Sequence, residues 1–81
     1  MQVTVKLFAT LRMKAGWAEQ KFDLPTDATI TTLLATLEEK QPDLDMANRP
    51  VYAAVNQDYA DAEQQLVDGD IVALFPPVSG G

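Results

Sequence analysis

The sequence predicts an α+β fold, a mixed β-sheet with one main helix packed on one face. Three observations predict it. Segments in which apolar and polar residues alternate with period two stand near both ends of the chain. Between them lies a single run with the 3.6-residue period of an amphipathic helix. The 81 residues leave room for one domain and no second, because domains typically hold ~100–150 residues. The chain has no Cys and no His. A core this small therefore gains nothing from disulfides or zinc, and regular secondary structure has to carry the stability.

Val3, Val5 and Leu7 alternate with Thr4, Lys6 and Phe8, so Gln2 to Ala9 reads as a first strand. Thr10 to Ala18 shows no clean period and reads as a connecting loop. Glu19 to Leu24 alternates again through Phe22 and Leu24 until Pro25 stops it, which makes a second strand and an initial hairpin. Ile30, Leu33, Leu34 and Leu37 then form the apolar stripe of a helix, with Thr29 as N-cap and Pro42 as terminator. Asp43 to Pro50 is polar and loop-like. Val51 to Asn56 is a short apolar strand, Gln57 and Asp58 turn the chain, and Tyr59 to Glu63 is a weak edge strand. Asp68-Gly69 is a hairpin signal leading into Ile71 to Phe75, and Pro76-Pro77 ends that last strand by removing two amide donors.

Two hairpins separated by a helix bury one sheet face on that helix. The β-grasp, or ubiquitin-like, fold is the familiar solution with this order. Its first and last strands are central and parallel, so Val3, Val5 and Leu7 face the helix beside Val72 and Leu74. The opposite face carries Phe8 and Phe75 near each other, joined by Tyr59. These aromatics read either as a docking patch or as ordinary core.

The inventory excludes most chemistry. Without Cys or His there is no thiolate nucleophile, no imidazole base and no Ser-His or Cys-His pair, and Ser79 has no base to activate it. No phosphate-binding GxxxxGK[ST] or GxGxxG loop is present, so the chain is not expected to bind a nucleotide by itself. A net charge of −6 opposes nucleic-acid binding, which needs clustered Lys and Arg. The acid pairs Asp43/Asp45, Asp58/Asp61 and Asp68/Asp70 form no calcium loop and read as turns and solvated surface; no metal site is expected. No apolar run approaches the ~18–20 residues that span a bilayer, and Met1 to Ala9 alternates where a signal peptide would be apolar. The expected location is cytoplasmic, with no membrane partner.

What remains is the end of the chain, residues 76–81, which reads as a flexible tail beyond a domain of residues 1–75. Pro76 and Pro77 stiffen and extend the exit from the last strand, Val78 and Ser79 follow, and Gly80-Gly81 carries the α-carboxylate. Extended, the segment reaches on the order of 20 Å, enough to place the carboxylate inside another protein. Glycine has no Cβ, so the last two residues can thread a channel too narrow for other side chains. The alternative is a frayed end.

The segments VKLFATLR (Val5 to Arg12), AAVN (Ala53 to Asn56) and LVDGDIVALFPPVSGG (Leu66 to Gly81) resemble the MoaD-type sulfur-carrier family of the molybdopterin synthase small subunit, itself ubiquitin-like. The resemblance runs from Met1 to Gly81. Met13 departs from it, since many relatives carry Glu there. The resemblance implies that an E1-like enzyme uses Mg-ATP in trans to adenylate the Gly81 carboxylate, that a sulfur donor converts it to a thiocarboxylate, and that the large synthase subunit, in a heterotetramer, receives the tail. The sulfur then attacks cyclic pyranopterin monophosphate, and two such transfers build the molybdopterin dithiolene. Gly81 is then the reacting residue, Gly80 and Ser79 line the threaded segment, and Pro76, Pro77 and Val78 set its exit. Phe8, Tyr59 and Phe75 are the expected apolar docking contacts, with Arg12 pairing to an acid on the partner. The chain itself holds no cofactor and no independent active site. A thiamine-pathway or other ubiquitin-like sulfur carrier, and an interaction module whose Gly-Gly end is never activated, remain the alternatives.

Overall fold

The alternation near the N-terminus forms β1 (Gln2–Leu7), with Val3, Val5 and Leu7 fully buried while Thr4 and Lys6 point the other way. The structure is a computed structural model that describes residues 1–44, 46 and 51–76. It contains α1 (Ala9–Ala15), β2 (Glu19–Asp23), α2 (Ile30–Lys40), a 3₁₀ turn at Pro42–Leu44, β3 (Tyr52–Val55), β4 (Asp58–Ala60) and β5 (Ile71–Phe75). The five strands form one sheet in the order β2-β1-β5-β3-β4. β1 and β5 are parallel at its centre, in the register Thr4↔Ile71 to Leu7↔Leu74, and the other pairs are antiparallel. This is the β-grasp arrangement expected from the element order.

One core lies between the sheet and α2. Ile30, Leu33 and Leu37 of the helix join Val3, Val5, Leu7, Val72 and Leu74 of the central strands in a single buried cluster. Leu34, also on the apolar stripe, packs at its margin. Thr29 starts α2 through a reciprocal cap: its Oγ1 accepts the Thr32 N–H at 3.3 Å, and its own N–H donates to Thr32 Oγ1 at 3.2 Å. The helix stops at Lys40, two residues before Pro42, whose ring disfavours helical backbone in the residue ahead of it. Trp17 ties the β2 side to the end of this helix by donating its indole N–H to Gln41 Oε1 at 2.6 Å.

Several local expectations are corrected. The first strand ends at Leu7, and most of the expected loop over Thr10 to Ala18 is helix α1. Only Leu11 of its seven residues is buried, so no apolar period could develop; the one available signal was Gly16, which closes the helix in the left-handed conformation at φ 84°. β1 and β2 therefore pair as expected but are joined through a helix instead of a tight hairpin. The β3–β4 turn is centred on Asn56 and Gln57, both at positive φ, and Asp58 already belongs to β4. The edge strand is confined to Asp58–Ala60. Asp68-Gly69 does turn the chain into β5, but β5 pairs with β1 and β3 and so the turn is no hairpin.

Candidate functional site

β5 lies at the centre of the sheet, flanked by β1 along Ile71 to Leu74 and by β3 along Val72 to Phe75. Its inward residues Val72 and Leu74 are completely buried. Phe75 ends it, paired with Tyr52 of β3, and Pro76 follows with no N–H to extend the ladder. Pro76 thus leaves directly from the end of a central strand. Pro77, Val78, Ser79, Gly80 and Gly81 lie outside the described residues.

The alternation that buries one sheet face leaves Lys6, Ile71, Ala73, Phe75, Tyr52 and Ala54 on the other, with no helix over it among the described residues. Phe75 is half-buried by its neighbours' rings: Tyr52 at a centroid distance of 6.0 Å and Tyr59 edge-on at 5.9 Å. The flanking rings are open to solvent, Tyr52 at 50 % and Tyr59 at 84 %. Phe8, 46 % exposed, lies on the same face beyond Leu7, whose partner is Leu74. Small side chains at Ala54 and Ala73 leave a hollow of ≈ 380 Å³ in front of Phe8, bordered also by Lys6 and Ile71. The aromatics thus form a partly exposed, largely apolar surface on the sheet face away from α2, beside Pro76.

Of the residues expected at this surface, Phe8, Tyr59 and Phe75 are all on it, with Tyr59 on the edge strand β4. Arg12 is not on the sheet; it is exposed in the last turn of α1. Among the described residues the one ion pair is Lys6–Glu19, at 3.9 Å and exposed on both sides. Tyr52 was missed. Its signal was available, since in β3 it alternates with the buried Ala53 and Val55 and so shares a face with Ala54. The junction of β1 and α1 is also unusual: Ala9 adopts φ 54°, a left-handed conformation that costs an alanine ~1 kcal/mol. Phe8 is held there by its own N–H, which donates to Leu74 O at 3.2 Å, and by its carbonyl, which accepts the Leu11 N–H at 3.2 Å.

A parallel central strand pair, one face covered by a helix and one open aromatic face define a ubiquitin-like β-grasp protein. The chain belongs to the ThiS family, which it matches over residues 5–81. It is similar to a molybdopterin synthase sulfur carrier subunit of Chlamydomonas reinhardtii, 41% identical over the full length of both chains. It is also similar in structure to small archaeal modifier protein 1 of Haloferax volcanii, at a TM-score of 0.87 and 31% identity with both chains fully covered. A third likeness is to a chain in the complex of subunits 1 and 2 of the molybdopterin-converting factor of Helicobacter pylori, at a TM-score of 0.72 and 27% identity, again over the whole of both chains. Among the described residues no helix is long and apolar enough to cross a membrane.

If the aromatic surface is a face for a partner and not a structural requirement, removing its most exposed ring should leave the fold intact. Tyr59→Ala is expected to lower the unfolding free energy by less than about 1 kcal/mol, measured by urea denaturation. A loss several times larger would make the ring part of the core.

Proposed function

We propose that this chain is a sulfur carrier subunit of molybdopterin synthase. The observation that carries the reading is the placement of a Gly-Gly terminus six residues beyond Phe75, itself rooted in the sheet centre beside an exposed aromatic face. The similarity to a named carrier of the same length, 41% identical throughout, supports it.

The chemistry follows from what the chain lacks. A carboxylate is a poor electrophile, and these residues offer no nucleotide cradle with which to activate one. Activation therefore occurs in trans. Bound Mg-ATP on an E1-like enzyme is attacked at its α-phosphorus by the Gly81 carboxylate, releasing pyrophosphate and leaving an acyl-adenylate. Sulfide-level sulfur from a donor then attacks the acyl carbon; the C–S bond forms, the C–O bond to AMP breaks, AMP leaves, and the terminus becomes a thiocarboxylate. Delivered into the large synthase subunit, its sulfur attacks a side-chain carbon of cyclic pyranopterin monophosphate and displaces an oxygen there. Water then hydrolyses the resulting thioester, leaving the sulfur on the pterin and returning Gly81 to a carboxylate. Two transfers complete the dithiolene.

The chain's own contribution is presentation. Pro76 and Pro77 keep the exit extended, Val78 follows, and Ser79 and Gly80 occupy the narrow part of the partner's channel. Phe8, Tyr59 and Phe75, joined by Tyr52, dock the domain, and Arg12 meets an acid on the partner. The chain holds no cofactor of its own. The likeness to an archaeal protein named a modifier favours a second use of the same activated end, in which an amine of another protein takes the acyl group and an amide forms in place of the thiocarboxylate.

With purified activating enzyme, sulfur donor and large subunit, deletion of Gly81 is expected to abolish product formation while leaving the far-UV circular dichroism unchanged. Full product formation by the truncated chain would contradict the carrier reading. The Tyr59→Ala variant that spares the fold should weaken capture of the large subunit by ~1–4 kcal/mol in a calorimetric titration; unaltered affinity would remove Tyr59 from the docking surface.

A further inference from the structure

The AAVN and DGD segments, Ala53 to Asn56 and Asp68 to Asp70, take no part in the tail chemistry, yet the structure brings their polar ends together. Asp70 is the only buried charged or polar residue among those described, 6% exposed. Its Oδ1 accepts the Asn56 Nδ2–H at 2.9 Å and its Oδ2 accepts the Val67 N–H at 2.8 Å. Its carbonyl accepts the Thr4 N–H at 2.9 Å. Asn56 uses both ends of its amide, since Oδ1 also accepts the Ile71 N–H at 3.0 Å, while the Asn56 N–H donates to Ile71 O at 2.8 Å. The regular β3–β5 register ends at Val55↔Val72; beyond it the Asn56 side chain supplies the acceptor that a further strand residue would have offered. Asn is well suited to the post because Asn56 stands at φ 50°, a conformation it tolerates better than most residues.

The element most dependent on this clamp is β4. It is three residues long, lies at the sheet edge, pairs only with β3 and has no buried residue. β4 is held by its ladder to β3 and by Ala60 at the margin of the core. The Tyr59 ring itself, 84% exposed, meets Phe75 and leans on the turn at Asn56 for its register. Asn56, Tyr59 and Asp70 also border one hollow of ≈ 370 Å³. We infer that Asn56 and Asp70 are positioning residues: by clamping the β3–β4 turn to the start of β5, they hold Tyr59 against Phe75 and so shape the docking face from the end opposite the tail. The docking consequence rests on the carrier reading above, whereas the placement of Tyr59 does not.

The hydrogen-bond pattern provides its own test. N56D sets two carboxylates face to face, and D70N turns an amide NH₂ toward a donor at either Val67 or Asn56. The exchange N56D/D70N matches every donor to an acceptor again: the carboxylate at 56 accepts from Ile71 and from the amide at 70, whose oxygen accepts from Val67. In NMR spectra of the full chain, each single variant is expected to lose the Tyr59–Phe75 ring cross-peaks while Val5 and Val72 keep slow amide exchange, and the exchange variant should regain them. Ring contacts unchanged in both single variants would overturn the inference. If a single variant does not fold, the exchange variant decides: wild-type ring contacts support the clamp, and their absence from a folded chain overturns it. In titrations with the molybdopterin synthase large subunit, the single variants should bind about tenfold more weakly, as when one aromatic anchor no longer seats, and the exchange variant should recover. Displaced rings with undiminished affinity would overturn the docking consequence. Wild type failing to bind would count against the carrier reading, and the ring measurement would still decide the placement.

Discussion

The parallel pairing of β5 with β1 is the constraint on which the rest of this structure depends. A parallel neighbour cannot be reached by a tight turn, so the chain between Leu7 and Ile71 has to travel out and return, and in doing so it supplies the helix that covers one face. The pairing places the first and last strands side by side in the sheet centre, where both are hydrogen-bonded along two edges. The last residue of β5, Phe75, remains paired with Tyr52 of β3, so a segment leaving it starts from the end of a central strand.

The same pairing creates the second requirement, a face on which a partner can settle. Period-two alternation directs Val3, Val5, Val72 and Leu74 to α2, and by necessity directs Lys6, Phe8, Ala73 and Phe75 away from it. The side chains there are of two sizes. Alanines at 54 and 73 leave a hollow, and the rings of Tyr52, Phe75 and Tyr59 stand beside it. Relief of this kind, apolar and uncovered, is poorly suited to water and well suited to a complementary protein surface. The edge that carries Tyr59 is pinned from the far end by Asn56 and Asp70, so the buried acid serves the face as much as the fold.

The fold was legible where the period was long enough to declare itself. β1, β2, α2 and β5 all follow from alternation or from the 3.6-residue stripe, and the parallel centre followed from matching their order to the β-grasp fold. α1 was not legible, because two turns with a single buried leucine present no stripe. The Asn56-Gln57 turn was displaced by one residue, since Asn can take positive φ and the dipeptide that signals this most clearly, Asn-Gly, is absent. At the candidate site, Phe8, Tyr59 and Phe75 were found by asking what lies opposite the core. Tyr52 escaped because the run from Val51 to Asn56 was read as a block and its faces were not separated. The role of Asp70 could not be seen at all from sequence, where it looks like any acid in a Gly turn; only the approach of Asn56 and Val67 distinguishes it.

A chain without cysteine or histidine acquires a reactive sulfur only by carrying one, and the group on which it would be carried is the α-carboxylate at Gly81. The most direct measurement of this claim is the intact mass of the protein isolated from its own cells, with fragmentation to locate any change. The account predicts a population in which one C-terminal oxygen is replaced by sulfur at Gly81. A terminus that remains a plain carboxylate in cells actively making the cofactor, with the activating enzyme present, would contradict it.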